Sequence, residues 1–134
     1  MKNDKTDNHE QIFWEEIDRL FPDMIKAIAS LSKKSYLSIT NLRTGITWWS
    51  ERAMDYFGMK ENYTIRSMEK ANRKIHPDDV ATFKRGFKER VDGKNLDTAW
   101  EYRIQDGDSY NRFNAMARVL YDEQKQPFII IIRY

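Results

Sequence analysis

The sequence predicts an α+β fold: a five-stranded antiparallel sheet with short helices on one face and a helical extension at the N-terminus. Three observations carry that prediction. Apolar residues recur every three or four positions between Phe13 and Leu31, which is the helical period. From Tyr36 the period falls to two, the period of a strand. The last third of the chain then holds three β-rich runs separated by short turns, the first of them at Asp106-Gly107.

The elements follow in order. Residues 1–9 are polar and read as a disordered tail, because nothing in them asks to be buried. Residues 10–33 form the helical extension. Its apolar stripe is Phe13, Ile17, Leu20, Phe21, Met24, Ile28 and Leu31, widened by Ile25. Pro22 interrupts it, ending a first segment near Leu20 and starting a second from the first helical turn; a kinked helix and two short helices are both compatible. Tyr36–Asn41 and Ile46–Ser50 flank a turn containing Gly45 and predict a hairpin. Ser50 is placed to cap a short helix, Glu51–Phe57, which Gly58 stops. Thr64–Lys74 reads as another short helix.

His76-Pro77-Asp78-Asp79 opens the clearest helix. Proline suits its first turn, and two carboxylates there meet the positive end of the helix dipole. Val80, Phe83, Phe87 and Val91 form its buried stripe, and Gly93 ends it. Gly86 inside it costs about 1 kcal/mol against alanine, and a close approach of another backbone would explain it. Strands are expected at Thr98–Gln105, Ser109–Tyr121 and Pro127–Tyr134. The last is apolar on both faces and therefore central.

Composition excludes several function classes. A chain of 134 residues, 40% of them hydrophobic, is one domain with one packed core. Net charge is +2, too balanced for a nucleic-acid binder. Ten basic against six acidic residues between Lys60 and Lys94 read as solvated helix faces. No cysteine is present, so disulfides, thiolate catalysis and cysteine zinc sites are out. No signal peptide is visible, and the longest apolar run, Phe128–Ile132, is far too short to span a bilayer. The expected location is cytoplasmic, with no membrane insertion.

No constellation carries catalysis. His76 is expected to meet unpaired backbone N–H groups at a helix entry rather than to ligate a metal. The neighbours Asp78 and Asp79, like Glu15 and Glu16, point about 100° apart on a helix and make no acid–base pair. A pairing of Asp78 or Asp79 with Arg103 would be structural. No nucleophile elbow, Walker loop or Rossmann fingerprint occurs. The chain is not expected to be an enzyme or to hold a metal.

Ile75-His76-Pro77-Asp78-Asp79, followed about two dozen residues later by Glu101-Tyr102-Arg103-Ile104, resembles the subgroup of PAS domains that carries an H-P-D-D turn and an E-Y-R strand. Trp49, Phe57-Gly58 and the two hairpins stand at matching separations, so the resemblance covers residues 34–134, a whole domain. It departs in two places. The turn before the last strand, Glu123-Gln124-Lys125-Gln126, lacks the usual glycine. The chain also ends at Arg133-Tyr134, without the D-I-T motif that leads into a following module. A fragment cut at a domain boundary is therefore expected, with a free-standing domain as the alternative.

The resemblance implies a sensor and interaction module of a bacterial signal-transduction protein. The pattern Ser38-Ile39-Thr40-Asn41, Arg43-Thr44-Gly45-Ile46-Thr47, Trp49-Ser50 and Asp55-Tyr56-Phe57-Gly58 looks like PAS domains ahead of GGDEF diguanylate cyclases. That implies a C-terminal effector making cyclic di-GMP. A histidine kinase is the next choice. The alternatives are a sensor of a defined small molecule (a carboxylic acid, haem or flavin) and a pure dimerisation scaffold. Flavin photoadducts and thioester-linked chromophores both need a cysteine and are unavailable. The candidate pocket or core residues are Trp49, Met54, Phe57, Phe83, Phe87, Tyr102 and Phe113. Side chains this large fill a core more readily than they leave room, so no cofactor is expected. A homodimer through residues 10–33 is expected, because one sheet hides only part of so wide a stripe.

Overall fold

A computed structural model describes residues 4–65 and 72–134, with side chains from residue 8 onward. Helices α1 (Asp4–Leu20) and α2 (Met24–Leu31) precede β1 (Leu37–Asn41), β2 (Ile46–Trp49), α3 (Glu51–Phe57) and β3 (Tyr63–Thr64). A 3-10 turn at Pro77–Asp79 leads into α4 (Val80–Val91), and β4 (Trp100–Asp106), β5 (Ser109–Tyr121) and β6 (Pro127–Arg133) complete the fold. The strands form one antiparallel sheet in the order β3-β2-β1-β6-β5-β4. As its apolar faces predict, β6 is central.

The sheet has six strands, not five. The extra one, β3, is two residues long, pairing Thr64 with Thr47 and Tyr63 with Trp48. It satisfies the edge of β2, where Trp49 also donates its backbone N–H to Asn62 at 2.8 Å and its indole N–H to Thr64 at 2.7 Å. Such a short strand carries no visible alternation. The helix expected over Thr64–Lys74 lies mostly outside the described residues; within the described part, Thr64 is strand and residues 72–74 are helical.

The N-terminal reading is corrected as well. Helix α1 starts at Asp4, inside the segment 1–9 expected to be a tail. Burial of Phe13 and Ile17 fixes its C-terminal half. Extending an existing helix adds a hydrogen bond for each residue ordered, and nothing from Asp4 to Leu20 is a glycine or proline. At the interruption the chain makes two helices. Pro22 lies before α2 and not in its first turn; Asp23 stands at the N-cap, in the left-handed region at φ 66°.

Two apolar layers sandwich the sheet. On the outer face Phe13, Ile17, Ile25 and Ala29 of the helices meet Leu37, Ile39, Trp48, Tyr63, Phe128 and Ile129. On the inner face Phe83 of α4 meets Trp100, Tyr102, Ala115, Ala117, Ile130 and Ile132. The successive residues Ile129 and Ile130 of β6 therefore serve opposite layers. Gly86 is explained by a side chain, not by a backbone. A Cβ there would lie 2.8 Å from Trp100 Cδ1 and Cε2, so its absence makes a notch for the indole.

The N-terminal helices thus fold back on their own sheet, which hides most of the stripe but not all of it. Leu20, Phe21 and Ile28 also pack there, leaving Ile12, Met24 and Leu31 as the exposed large apolar side chains of α1 and α2. The fold-back is fastened by charge. Arg43 bridges Glu16 of α1 and Asp122 of the β5–β6 turn, and its guanidinium lies 4.7 Å from the centre of the Phe128 ring.

Candidate functional site

The H-P-D-D and E-Y-R segments meet. Ile75 bridges to Ile104, and His76 donates its backbone N–H to the Arg103 carbonyl at 3.0 Å. The His76 imidazole caps the turn, its Nδ1 accepting from the Asp78 N–H at 3.1 Å, the structural role expected of it. Asp79 grips Arg103 at three points: Oδ2 accepts from the backbone N–H at 2.9 Å and from Nε at 2.8 Å, and Oδ1 accepts from Nη2 at 2.9 Å. Those bonds from Arg103 hold the Asp79 carboxyl at about 2. The clamp fixes the entry of α4 against β4, and so spaces the helix from the sheet.

A cavity of about 440 Å³ lies in that space. Trp49 at the end of β2, Phe57 of α3, Phe83 of α4, Tyr102 and Ile104 of β4, and Tyr134 beyond β6 form its wall. Gly58, Lys60, Glu61 and Lys74 are exposed at the rim. An apolar interior of this size with a few polar groups is the usual form of a small-molecule site.

Four of the seven candidate residues line the cavity: Trp49, Phe57, Phe83 and Tyr102. The other three stand behind its wall. Phe87 packs 6.3 Å from Trp100, Phe113 lies 6.2 Å from both Phe57 and Tyr134, and Met54 is half-buried in α3. The crowding expected of these aromatics is incomplete, for two reasons. Several rings meet edge to face along the wall, as Trp49 and Phe57 do at 5.8 Å. A further indole, that of Trp100, is taken into the Gly86 notch, stacked 5.0 Å from Phe83. Sequence reasoning missed Ile104, Met59 and Tyr134. The signal for Tyr134 was present, since Ile130, Ile132 and Tyr134 alternate onto the inner face.

The polar groups of the interior are tyrosines. Tyr102 is 2% exposed, and its hydroxyl makes no hydrogen bond of ordinary geometry. Burial, with the nearby Tyr134 phenol, pushes its pKa well up. Burial raises Tyr134 too, and its hydroxyl lies 3.3 Å from Ser38 Oγ. Among the described residues no group of three or more His, Cys, Asp or Glu is placed to hold a metal, and no helix is long and apolar enough to cross a membrane.

Comparison with known proteins bears on the fold. A family model described as the PAS fold matches residues 46–132. No curated protein matches the chain. One similar structure is a sensory box histidine kinase/response regulator from Burkholderia thailandensis: 17% identity, TM-score 0.58, 80% of this chain and 79% of that one covered. Another is the N-terminal domain of a diguanylate cyclase with PAS/PAC sensor from Marinobacter aquaeolei: 15% identity, TM-score 0.59, 73% and 91% covered.

Proposed function

The chain belongs to the PAS fold family, and from that premise we propose that it is the sensory domain of a signalling protein, with the aromatic cavity as its signal site. The observation that carries this reading is the cavity itself. About 440 Å³ stays open where seven large side chains were available to close it. A pure scaffold gains nothing from such a void, because unfilled space forfeits packing contacts. The experiment is native mass spectrometry of the freshly purified chain, compared with the denatured chain. A mass excess present only in the native spectrum supports a ligand site. A bare native mass, together with no thermal shift from any member of a small-molecule library, sinks it.

The effector in this proposal is a diguanylate cyclase making cyclic di-GMP, with a histidine kinase second. The Ser38–Gly58 pattern supports the first. The two similar structures, one from each effector class, are compatible with either. Reading the gene past the codon for Tyr134 decides: a GGDEF module upholds the first choice, and a kinase core replaces it.

A further inference from the structure

We propose that the cavity takes a neutral ligand with an apolar, ring-sized body and one hydrogen-bond-accepting oxygen, of ketone, ester or ether type, directed at the Tyr102 hydroxyl. This rests on the reading of the cavity as a signal site and adds the chemistry of its occupant. The argument is one of donors. Lining the cavity, the Trp49 indole N–H is donated to Thr64 at 2.7 Å. One N–H of the Lys74 ammonium, exposed at the rim, is donated to the Phe57 carbonyl at 3.1 Å. Tyr134 has Ser38 at 3.3 Å. Lys60 stands at the rim in water. The Tyr102 hydroxyl is buried beside the Tyr134 phenol and makes no hydrogen bond of ordinary geometry. A buried donor left unpaired is costly, and native proteins seldom leave one without a purpose. An acceptor on a ligand removes that cost, so the site favours a molecule that carries one.

The same surroundings exclude an anion at this end. The cation that bears on Tyr102, Arg90, is held by both terminal nitrogens, Nη1 donating to the Gly86 carbonyl at 3.1 Å and Nη2 to the Thr98 carbonyl at 2.9 Å, with only its buried Nε left without a partner. The burial that pushes the Tyr102 pKa up disfavours a carboxylate beside it for the same reason, the cost of desolvating a charge. Phe83 stands 5.0 Å from Tyr102, edge to face, so the flank of the ligand beside the hydroxyl meets a ring and not a charge.

The test uses three probes of one shape on the whole chain: acetophenone, isopropylbenzene and benzoate, titrated calorimetrically against the parent and Tyr102→Phe. In the parent, acetophenone and isopropylbenzene bind and benzoate is at least about tenfold weaker than the ketone. Tyr102→Phe weakens acetophenone about tenfold, the range of one hydrogen bond, and leaves isopropylbenzene within twofold. The unliganded variant melts no lower than the parent, since the hydroxyl it loses made no hydrogen bond of ordinary geometry. A lower melting temperature would show the hydroxyl to be satisfied internally and overturn the proposal. So would an unchanged ketone-to-hydrocarbon ratio, or benzoate binding as tightly as acetophenone. Hydrocarbon binding without ketone dependence sinks this inference alone. Failure of all three probes to bind sinks the signal-site reading with it.

Discussion

At the scale of the residue, Ser50, Gly86 and Asp79 show how single positions fix the joints between elements. Ser50 is fully buried. Its Oγ accepts from the Leu37 N–H at 3.1 Å and the Ala53 N–H at 3.3 Å, and donates to the Ser35 carbonyl at 2.5 Å. One hydroxyl thus caps α3 and ties down the start of β1. Ser50→Ala orphans three backbone groups at once and is expected to cost about 2–4 kcal/mol, above an ordinary cap loss; the shift of a urea midpoint measures it. Gly86→Ala tests a sign. Helix propensity alone favours alanine by about 1 kcal/mol. The new methyl would meet the Trp100 ring inside van der Waals contact, and the ring is 3% exposed with no room to retreat. The variant is therefore expected to be less stable by about 1–3 kcal/mol, and an increase in stability would mean that the notch is not filled. Asp79 carries the pH dependence. Its carboxyl is held at about 2 in the fold against an ordinary 3.8. The folded value is the lower one, so the contribution is complete above about pH 4 and is lost as pH falls towards 2. Because solvent reaches the pair, it amounts to about 1 kcal/mol. Asp79→Asn should flatten acid denaturation in that window and leave stability near pH 7 lower by a similar amount.

At the scale of the element, the ease of reading followed the strength of the local signal. Glu51–Phe57 is bounded by a serine cap and by Gly58 at φ 65°, so both its ends were legible. The long strand Ser109–Tyr121 was legible because alternation over so many residues has one interpretation. Strand β3 was not, because two residues have no period and its reason for existing is the edge of β2, distant in sequence. The turn Asp122–Gln126 shows how a missing glycine is replaced. Lys125 takes the left-handed position at φ 63°, held there while Asp122 Oδ1 accepts from the Gln124 and Gln126 N–H groups at 2.8 and 2.9 Å. The helical extension was legible as helix but not in its destination, since an apolar stripe does not say which surface covers it. The structure gives that surface as the outer face of the sheet. Removing residues 1–33 would bare Ile39, Trp48, Phe128 and Ile129, all at most 8% exposed in the whole chain. The shortened domain is expected to aggregate or to lose most of its stability. A truncated chain that stays soluble with the parent's melting temperature would show that α1 and α2 are dispensable cover.

At the scale of the whole molecule, the candidate site was legible as a set of aromatic residues but not as a space. Which of them wall a cavity depends on distances between elements, and these are set by the Asp79–Arg103 clamp and by the Gly86 notch. The same geometry couples the two layers. Ile129 faces the outer helices and Ile130 the inner ones, one residue apart on the central strand. Asn41 of β1 is 1% exposed, and its side-chain amide donates to the Phe13 carbonyl at 3.4 Å. A sheet shared so closely cannot lose one layer and keep the other in register. The chain should therefore unfold as one cooperative unit. Phe13→Ala removes a fully buried ring from the outer layer, 5.5 Å from Tyr63, and is expected to cost about 3–5 kcal/mol. Phe83→Ala, from the inner layer, is expected to cost the same; the half-buried Phe87 costs less. The informative measurement is where the loss is felt. Under native-state hydrogen exchange, Phe13→Ala should lower the protection of amides in β4 and β5, on the far side of the sheet from α1, by as much as it lowers those in β1 and β2. Loss confined to β1 and β2 would mean that the outer layer opens by itself. The helical extension would then be a separable element, able to leave the sheet while the cavity stays intact.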